Sequence, residues 1–565
     1  MLNRRDFMAY FGATGLGTTL LPGVLWGIAQ EQDTVTKEMV AEAAKIAGLE
    51  FTEDERETIA RGLTRNVQNY RQLREVELPN AVAPAVQFDA VLPGMRLPSD
   101  VRPPRFTRPT VTRPANLEDV AFWTVSQLSE LVRTRQVMPS ELTDIYIARI
   151  KRYDPQLLAV VTLTEERARE QAARLDAELN SGQYRGPLHG IPWGAKDLLA
   201  VRGYPTTWGA SPYRDQAFDY DATVVERLDA AGAVLVAKLT MGALAQGDRW
   251  FGGMTRNPWN LEQGSSGSSA GPGSATAAGL VGFSIGTETL GSIVSPSTRN
   301  GVTGLRPTFG RVSRHGAMAL SWSMDKIGPM CRSAEDCAIV LDAIHGRDGR
   351  DPTVRDVPFN YDAARPLHEL RVGYNRTAFE QTNDQGERNM FDAAALDAMR
   401  RLIPNLIEVE MPVQRYPLGA VQGAILGVEA AAAFDELTRS DRDELMVPEP
   451  ERSSWPNTFR TARFVPAVEY LNANRVRTLV MQATHEAMRD VDVFITPCSS
   501  ILLLTNLTGH PQVAMPSGFT DEGTPVSISF VGQLFGEADV LRVAQAWQDA
   551  TGFHLKYPPA FNVAR

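Results

Sequence analysis

Short apolar runs alternate with segments of helical periodicity from about residue 117 to the end of the chain. Runs rich in β-branched residues lie at 157–163, 233–237 and 491–495. Helical segments are predicted at 125–153, 165–180 and 222–231. This alternation predicts an α/β fold in which helices pack on a central sheet.

The composition excludes several classes of protein. The chain has 565 residues, of which 43% are hydrophobic and 22% charged, so it is neither disordered nor a collagen-like fibre or coiled-coil rod. The net charge of −10 gives no reason to expect nucleic acid as a partner, because such binding neutralises phosphates. The three cysteines lack the spacing of zinc ligands, and we predict no metal site and no disulfide framework.

Residues 1–29 have the pattern of an export signal. Arg4 and Arg5 precede a weakly hydrophobic, glycine-rich stretch, as in the twin-arginine signals of bacteria. An uncleaved membrane anchor is the alternative, but the glycine and threonine content makes a poor transmembrane helix. We therefore predict a periplasmic or secreted protein that is not stably inserted in a membrane after export.

Two more segments precede the predicted catalytic domain at 117–565. Residues 30–78 are predicted to be a helical extension, in which Thr52 and Glu55 form a capping box. Eight prolines between 79 and 114 forbid a continuous helix, so residues 79–116 are predicted to be an extended, proline-rich strap.

The glycine- and serine-rich stretch at 264–274 is the most unusual in the sequence. A flexible linker is the ordinary explanation for such a composition. A small-residue helical segment and a strand-like run follow at once, however, which indicates the interior of an α/β core. A phosphate-binding P-loop is excluded, because the stretch lacks the lysine of the Gly-Lys-Ser/Thr end.

The segment Gly286–Ile293 turns sharply after a predicted strand, and its successive backbone N–H groups can bind an oxyanion. Ser292 at its end is a candidate nucleophile and needs a base. None of the seven histidines can be assigned to that role, since the Gly-x-Ser-x-Gly elbow is absent at Ser292. Lys196 can serve if burial keeps it neutral, and a surface ion pair with Asp197 is the alternative.

Together these segments resemble the amidase signature family. Gly190–Asp197 resembles its lysine segment, Ser266–Ser274 its Gly/Ser box and Gly286–Ile293 its nucleophile turn. Further matching segments are Thr255–Asn260, Gly301–Ser313, Asp325–Met330 and Gly509–Phe519. The resemblance covers roughly residues 117–560 and implies the amidase signature fold, a central mixed β-sheet covered by helices on both faces.

The resemblance also implies a Ser–cisSer–Lys catalytic triad. Ser292 matches the nucleophile, Ser268 the bridging serine that follows a cis peptide bond, and Lys196 the base. Protons would pass from Ser292 to Ser268 to Lys196 while Ser292 attacks an amide carbonyl, and water would then hydrolyse the acyl-enzyme.

Other parts of the site follow from the same resemblance. The oxyanion would be bound by the backbone N–H groups of Thr289, Leu290, Gly291 and Ser292. Ser269 and Glu288 would support the site, and no metal or cofactor is implied. Three residues depart from the family pattern. Leu290 replaces a glycine, Glu288 replaces an aspartate, and Val294 replaces an arginine that anchors carboxylate substrates in some members, which favours a neutral or apolar acyl group.

Residues 35–95 show a weaker resemblance to the small C subunit of tRNA-dependent amidotransferases, which straps around the amidase subunit. Any two-helix extension followed by a proline arm is the alternative interpretation.

The sequence thus predicts an amidohydrolase that cleaves the C–N bond of a neutral or apolar small-molecule amide, with that amide and water as its partners. The sequence leaves open whether the protein forms a homodimer. The first alternative is a glutamine-hydrolysing, A-type subunit of an amidotransferase. The second alternative is a non-catalytic binding protein on an amidase scaffold.

Overall fold

The computed structural model describes residues 34–76, 79–82, 84, 86–380, 386–446 and 455–562. It divides into two compact units, Met1–Val82 and Ala83–Arg565. The predicted export signal at 1–29 lies outside the described residues.

The described residues of the first unit form two helices, α1 (Lys37–Ala47) and α2 (Glu53–Arg74). The predicted capping box is present at the start of α2. The Thr52 backbone N–H donates to the Glu55 carboxylate at 2.7 Å, and the Glu55 N–H donates to the Thr52 hydroxyl at 3.4 Å. These bonds satisfy N–H groups that have no partner within the helix.

The second unit contains fifteen short strands in the part of the chain that is described. They are β1 (Val160–Leu163), β2 (Pro192–Lys196), β3 (Val234–Leu239), β4 (Arg249–Trp250), β5 (Gly253–Met254), β6 (Arg256–Asn257), β7 (Asn260–Gly264), β8 (Phe283–Glu288), β9 (Thr303–Arg306), β10 (Lys326–Cys331), β11 (Val372–Tyr374), β12 (Ile407–Glu408), β13 (Val493–Pro497), β14 (Gln512–Phe519) and β15 (Pro525–Gly532).

Eleven of these strands form one mixed sheet in the order β1-β3-β2-β8-β10-β9-β14-β15-β13-β11-β12. In its centre β2 runs parallel to both β3 and β8, whereas β10 is antiparallel to β8. Most central strands are buried along their whole length, as expected when helices cover both faces of a sheet.

Helices of the second unit pack on this sheet and on one another. They are α3 (Val125–Arg133), α4 (Pro139–Leu157), α5 (Glu165–Asn180), α6 (Thr223–Ala230), α7 (Ala270–Ala277), α8 (Val294–Asn300), α9 (Ala334–Ile344), α10 (Arg376–Glu380), α11 (Gly386–Leu402), α12 (Leu418–Ala433), α13 (Asp435–Arg439), α14 (Trp455–Ala462), α15 (Ala467–Ala487), α16 (Leu502–Thr508) and α17 (Glu537–Thr551). The α/β prediction is therefore confirmed.

The proline-rich segment from residue 86 to 116 is extended and packs against the sheet domain. Arg105 exchanges backbone hydrogen bonds with Tyr361 at 2.8 Å and Ala363 at 3.0 Å, and the ring of Phe88 lies 5.0 Å from that of Phe309. Among the described residues, no helix has the length and apolar character needed to span a membrane.

Candidate active site

Lys196 is the last residue of β2 and is completely buried. Its Nζ lies 2.8 Å from Ser268 Oγ, 3.0 Å from Ser269 Oγ and 2.9 Å from Thr287 Oγ1. These neighbours are neutral hydroxyls, which suit an uncharged amine. Burial lowers the pKa of Lys196 from 10.5 to about 7, against the opposing effect of two nearby carboxylates.

The alternative of a surface pair between Lys196 and Asp197 is wrong. Asp197 is buried as well, and its carboxylate lies 2.8 Å from the Nζ of Lys238 on the neighbouring strand β3. A second bond, 3.0 Å long, comes from the backbone N–H of Thr207. Because Asp197 is paired elsewhere, it does not hold Lys196 in its charged form.

The glycine- and serine-rich segment brings Ser268 and Ser269 to Lys196. The Gly267–Ser268 peptide bond is cis, as the resemblance to the amidase signature family implies. A Cβ at Gly267 would lie 1.7 Å from the carbonyl oxygen of Gly247, so only glycine fits at this position. The Ser269 hydroxyl accepts from the Thr287 N–H and donates to the Thr287 carbonyl, both at 3.1 Å.

The nucleophile turn lies between β8 and α8. The Ser269 N–H donates to the Ser292 carbonyl at 3.1 Å, which ties this turn to the serine segment. Gly291 has φ +80, a conformation that favours glycine. Among the described residues, no acceptor forms a hydrogen bond with the backbone N–H groups of Leu290, Gly291 and Ser292. Unpaired donors on such a turn can bind an oxyanion.

The Ser292 side chain is almost buried, with 7% of the residue exposed. Within the described part of the chain, its hydroxyl makes no hydrogen bond, and none joins it to Ser268. The contact between Lys196 and Ser268 is thus formed in this structure, whereas the contact between Ser268 and Ser292 is not. Catalytic hydrogen bonds are often longer in a free enzyme than in its substrate complex.

Glu288 lies beneath the turn and is completely buried. One carboxylate oxygen accepts from the N–H groups of Ile293 and Val294 at 2.8 and 2.9 Å. The other oxygen accepts from Arg306 and Asn506, each at 2.8 Å. Burial alone would raise the pKa of Glu288, but the positive charges and hydrogen bonds around it lower that pKa to about 2.

Four residues at the site had no role assigned from the sequence. Thr287 contacts Lys196, Asp325 accepts the Thr289 hydroxyl at 2.5 Å, and Arg306 and Asn506 bind Glu288. Thr287, Arg306 and Asp325 lie in segments that resemble the amidase signature family. That resemblance was the sequence signal by which they could have been found. Asn506 lies outside them and reaches the site only through the packing of α16.

A cavity of about 470 Å³ adjoins the turn. Its lining includes Ser295 and Leu502, and these two side chains also lie 3.0 and 3.2 Å from where a Cβ of Gly291 would be. Val294 lines the cavity, and so do two charged residues, Arg299 and Asp392. In the described part of the chain, no group of three His, Cys, Asp or Glu side chains is arranged to hold a metal ion.

Glu288→Gln is expected to lower the free energy of unfolding by about 3 kcal/mol at neutral pH, because it leaves the buried Arg306 without its counter-charge. The stabilisation is present above the unfolded pKa of 4.5 and is lost as the pH falls towards 2. Urea denaturation measures both effects. Glu408→Gln, which breaks an exposed ion pair, is the control and should change stability by less than about 1 kcal/mol. Equal losses in the two variants would contradict this account.

Comparison with known proteins shows which proteins this chain resembles. The family model described as Amidase matches residues 141–503. The A-type subunit of the glutamyl-tRNA(Gln) amidotransferase of Roseiflexus sp. (strain RS-1) is 35% identical in an alignment 480 residues long, which covers 77% of this chain and 98% of that relative. The corresponding subunit of Geobacillus kaustophilus (strain HTA426) is 34% identical over 479 residues, 77% of this chain and 98% of the relative.

Two solved structures of moderate identity share the fold. Peptide amidase from Stenotrophomonas maltophilia has a TM-score of 0.68 and 28% identity, and the match covers 79% of this chain and all of the amidase. An inhibitor-bound vestigial protein complex, described as revealing the origins of an s-triazine catabolic enzyme, has a TM-score of 0.70 and 27% identity, with 75% and 98% coverage.

The predicted periplasmic or secreted location is wrong. It rested on Arg4, Arg5 and a glycine-rich apolar stretch, a short pattern of low specificity. The relatives are subunits of an enzyme named for glutamyl-tRNA(Gln), and aminoacyl-tRNA is cytoplasmic, so that no export is expected of them.

The family is thus shown by a model that matches more than half of the chain and by relatives that are aligned over nearly their whole length. The chain belongs to the amidase signature family and is an enzyme that cleaves amide C–N bonds.

Proposed function

We propose that this chain hydrolyses the side-chain amide of glutamine as the A-type subunit of a tRNA-dependent amidotransferase. The observation that carries the chemistry is the 2.8 Å contact between the buried Lys196 amine and the Ser268 hydroxyl, beside a turn with unpaired N–H groups. The relatives, of which 98% of the length is aligned with this chain, support the glutamine substrate.

The proposed reaction begins with neutral Lys196. Its amine accepts the proton of Ser268 as Ser268 accepts the proton of Ser292, and the Ser292 oxygen attacks the amide carbonyl. Substrate binding would bring the two serine hydroxyls into contact. The tetrahedral oxyanion is stabilised by backbone N–H groups of the turn, from Thr289 to Ser292. The N–H of Leu290 has no acceptor among the described residues, so it is available for this role.

The intermediate then collapses to the acyl-enzyme. The carbon–nitrogen bond breaks, Ser268 returns a proton to the nitrogen, and ammonia leaves. Water then attacks the ester carbonyl of the acyl-enzyme and gives up a proton through Ser268 and Lys196. The carboxylic acid is released, and Ser292 regains its proton. Ser269 orients the lysine through the 3.0 Å contact to its Nζ, and Glu288 holds the far end of the turn in place.

The charges of the cavity beside the turn favour an amino acid. Glutamine carries a carboxylate and an ammonium group, and Arg299 and Asp392 supply one charge of each sign to the lining. Val294 stands where other family members have an arginine, and Arg299, five residues further along α8, supplies a cation to the same cavity. An apolar pocket without charges would not distinguish glutamine from a simple amide.

The charge of the whole chain bears on the partners. With a net charge of −10, this chain is a poor binder of tRNA phosphates. We therefore assign tRNA contacts to a partner subunit, which would take up the ammonia released at Ser292. The helices α1 and α2 with the following strap would correspond to the fused small C-type segment, and residues 117–565 to the catalytic domain.

A second candidate is the hydrolysis of a neutral small-molecule amide by the chain alone. Val294 favours it, since this first residue of α8 replaces the arginine that anchors carboxylate substrates in some family members. The likeness to the peptide amidase from Stenotrophomonas maltophilia, at 28% identity, supports this candidate.

Ser292→Ala is expected to lower amide hydrolysis at least about a thousandfold, because it removes the nucleophile. The measurement is ammonia release from the purified chain, together with covalent labelling by a fluorophosphonate. The wild type should be labelled once per chain and the variant not at all. Labelling of the variant would refute the assignment of Ser292, and Ser500→Ala, which changes a serine in the wall of the neighbouring cavity, serves as the control.

Hydrolysis is expected to fall tenfold per pH unit below about pH 7, because Lys196 must be uncharged to act as a base and its pKa is about 7. Lys196→Ala should abolish turnover at every pH. The profile of kcat/KM against pH measures both. A profile that is flat from pH 5 to 8, or near-normal turnover in the variant at neutral pH, would contradict the role of Lys196.

Arg299→Ala is expected to raise the KM for glutamine roughly tenfold or more, because a charged hydrogen bond to the substrate carboxylate is lost. The KM for propionamide, which has no carboxylate, should not change. Arg475→Ala, an exposed arginine on α15, is the matched control. If propionamide is the better substrate and Arg299→Ala affects neither compound, the second candidate function replaces the first.

A further inference from the structure

We propose that Asp325 is a positioning residue of the active site, whose carboxylate fixes the nucleophile turn through Thr289 and whose negative charge acts on Lys196. This inference rests on the proposed function of Lys196 as the base. It adds a residue that lies outside the triad and belongs to a different strand.

The geometry places the carboxylate directly beside the turn. Lys326, the first residue of β10, is paired with Glu288, the last residue of β8, so Asp325 and Thr289 leave the two strands at the same level. Asp325 Oδ1 accepts the Thr289 hydroxyl at 2.5 Å. The turn that carries the unpaired N–H groups is thereby held by Asp325 at its beginning and by Glu288 at its end.

The other oxygen of Asp325 holds its own loop. It accepts the N–H groups of Leu320 and Ser321 at 2.8 and 2.9 Å. Burial raises the pKa of Asp325, and the three donors that point at its carboxylate oppose that rise, because they stabilise the ionised form, which only accepts hydrogen bonds. An asparagine could not accept from both sides in the same way, because one of its two terminal atoms is a donor.

The loop that contains Leu320, Ser321 and Asp325 is held in place by two buried charged side chains. Glu429 of α12 accepts the Ser321 hydroxyl at 2.6 Å and the Ser323 hydroxyl at 2.8 Å. Arg477 of α15 donates to the Ser323 hydroxyl and carbonyl, both at 2.9 Å. A carboxylate on a loop fixed in this way can set the position of the turn that it contacts.

The charges around Lys196 explain the second part of the proposal. Among the described residues, the carboxylates that act on it are Asp325 and Glu288, and both raise its pKa against the effect of burial. Glu288 is neutralised by Arg306, and Asp197 by Lys238 on β3. Asp325 makes no ion pair in the described part of the chain, although Arg314 and Lys326 lie within range of its charge. Its charge is therefore the less compensated of the two.

The test is the rate of Ser292 labelling by a fluorophosphonate as a function of pH, since this probe needs no knowledge of the substrate. Asp325→Asn removes the charge that favours protonated Lys196. The acid limb of the labelling profile should therefore move to lower pH by roughly one unit, and the plateau rate should fall about tenfold or more.

Thr289→Val separates the two roles of Asp325. It removes the hydrogen bond to the carboxylate and keeps the charge, so the plateau rate should fall about tenfold while the limb stays at the wild-type pH. Asp336→Asn is the matched control. Asp336 is a buried carboxylate in the first turn of α9 that also accepts two backbone N–H groups, those of Ser126 and Ser333. This control should leave the limb unchanged.

The outcomes are distinct. Absence of labelling in the wild type, or labelling that survives Ser292→Ala, would refute the proposed function itself. Normal labelling of the wild type, with the same limb in Asp325→Asn and Asp336→Asn, would overturn the inference about Asp325. Should Asp325→Asn fail to fold, an unchanged plateau rate in Thr289→Val would overturn the positioning role.

Discussion

The burial of Lys196 among neutral hydroxyls is the interaction on which the rest of the site depends. An ammonium group in a buried interior is costly, and within the described part of the chain no carboxylate is in contact with Lys196 to offset that cost. The amine therefore loses its proton easily, and a residue type that is usually charged becomes a base at neutral pH. A histidine is not needed, which agrees with the absence of a histidine from the contacts of Ser268 and Ser292 in the described part of the chain.

The second constraint is the arrangement of buried carboxylates around that amine. Asp197 is paired with Lys238, and Glu288 with Arg306, so neither pairs with Lys196. Had either formed the ion pair with Lys196, the lysine would stay charged. Glu288 also binds two N–H groups at the end of the nucleophile turn. One side chain thus affects both the charge around Lys196 and the position of the turn. The sheet makes this possible by placing the ends of β2 and β8 beside the start of β10.

The sequence predicted local features where short-range chemistry determines the structure. The helix at Glu165–Asn180 and the capping box of Thr52 and Glu55 are both present. The long helix predicted at 125–153 is instead two helices. Arg135 has φ 57 between them and Pro139 begins the second, a break that depends on the packing of the loop rather than on periodicity.

The candidate site was predicted from the joint pattern of three segments, and the structure brings Lys196, Ser268 and Ser269 into contact. Residues that join the site through tertiary packing were not predicted. Asp325 reaches Thr289 only because β10 pairs with β8 in one register, and Asn506 comes from a helix more than two hundred residues away in sequence. Neither of these two contacts can be inferred from residue spacing or from composition.

The most direct measurement of the central claim is the protonation state of Lys196 in the resting enzyme. The chain has only seven lysines, so carbon NMR of protein labelled at the lysine ε-carbon can follow each one through a pH titration. Lys196→Arg identifies the signal that belongs to this residue and separates it from the buried Lys238 and Lys326. The account predicts that this signal titrates near pH 7. A signal that stays that of a charged amine up to about pH 10 would contradict it.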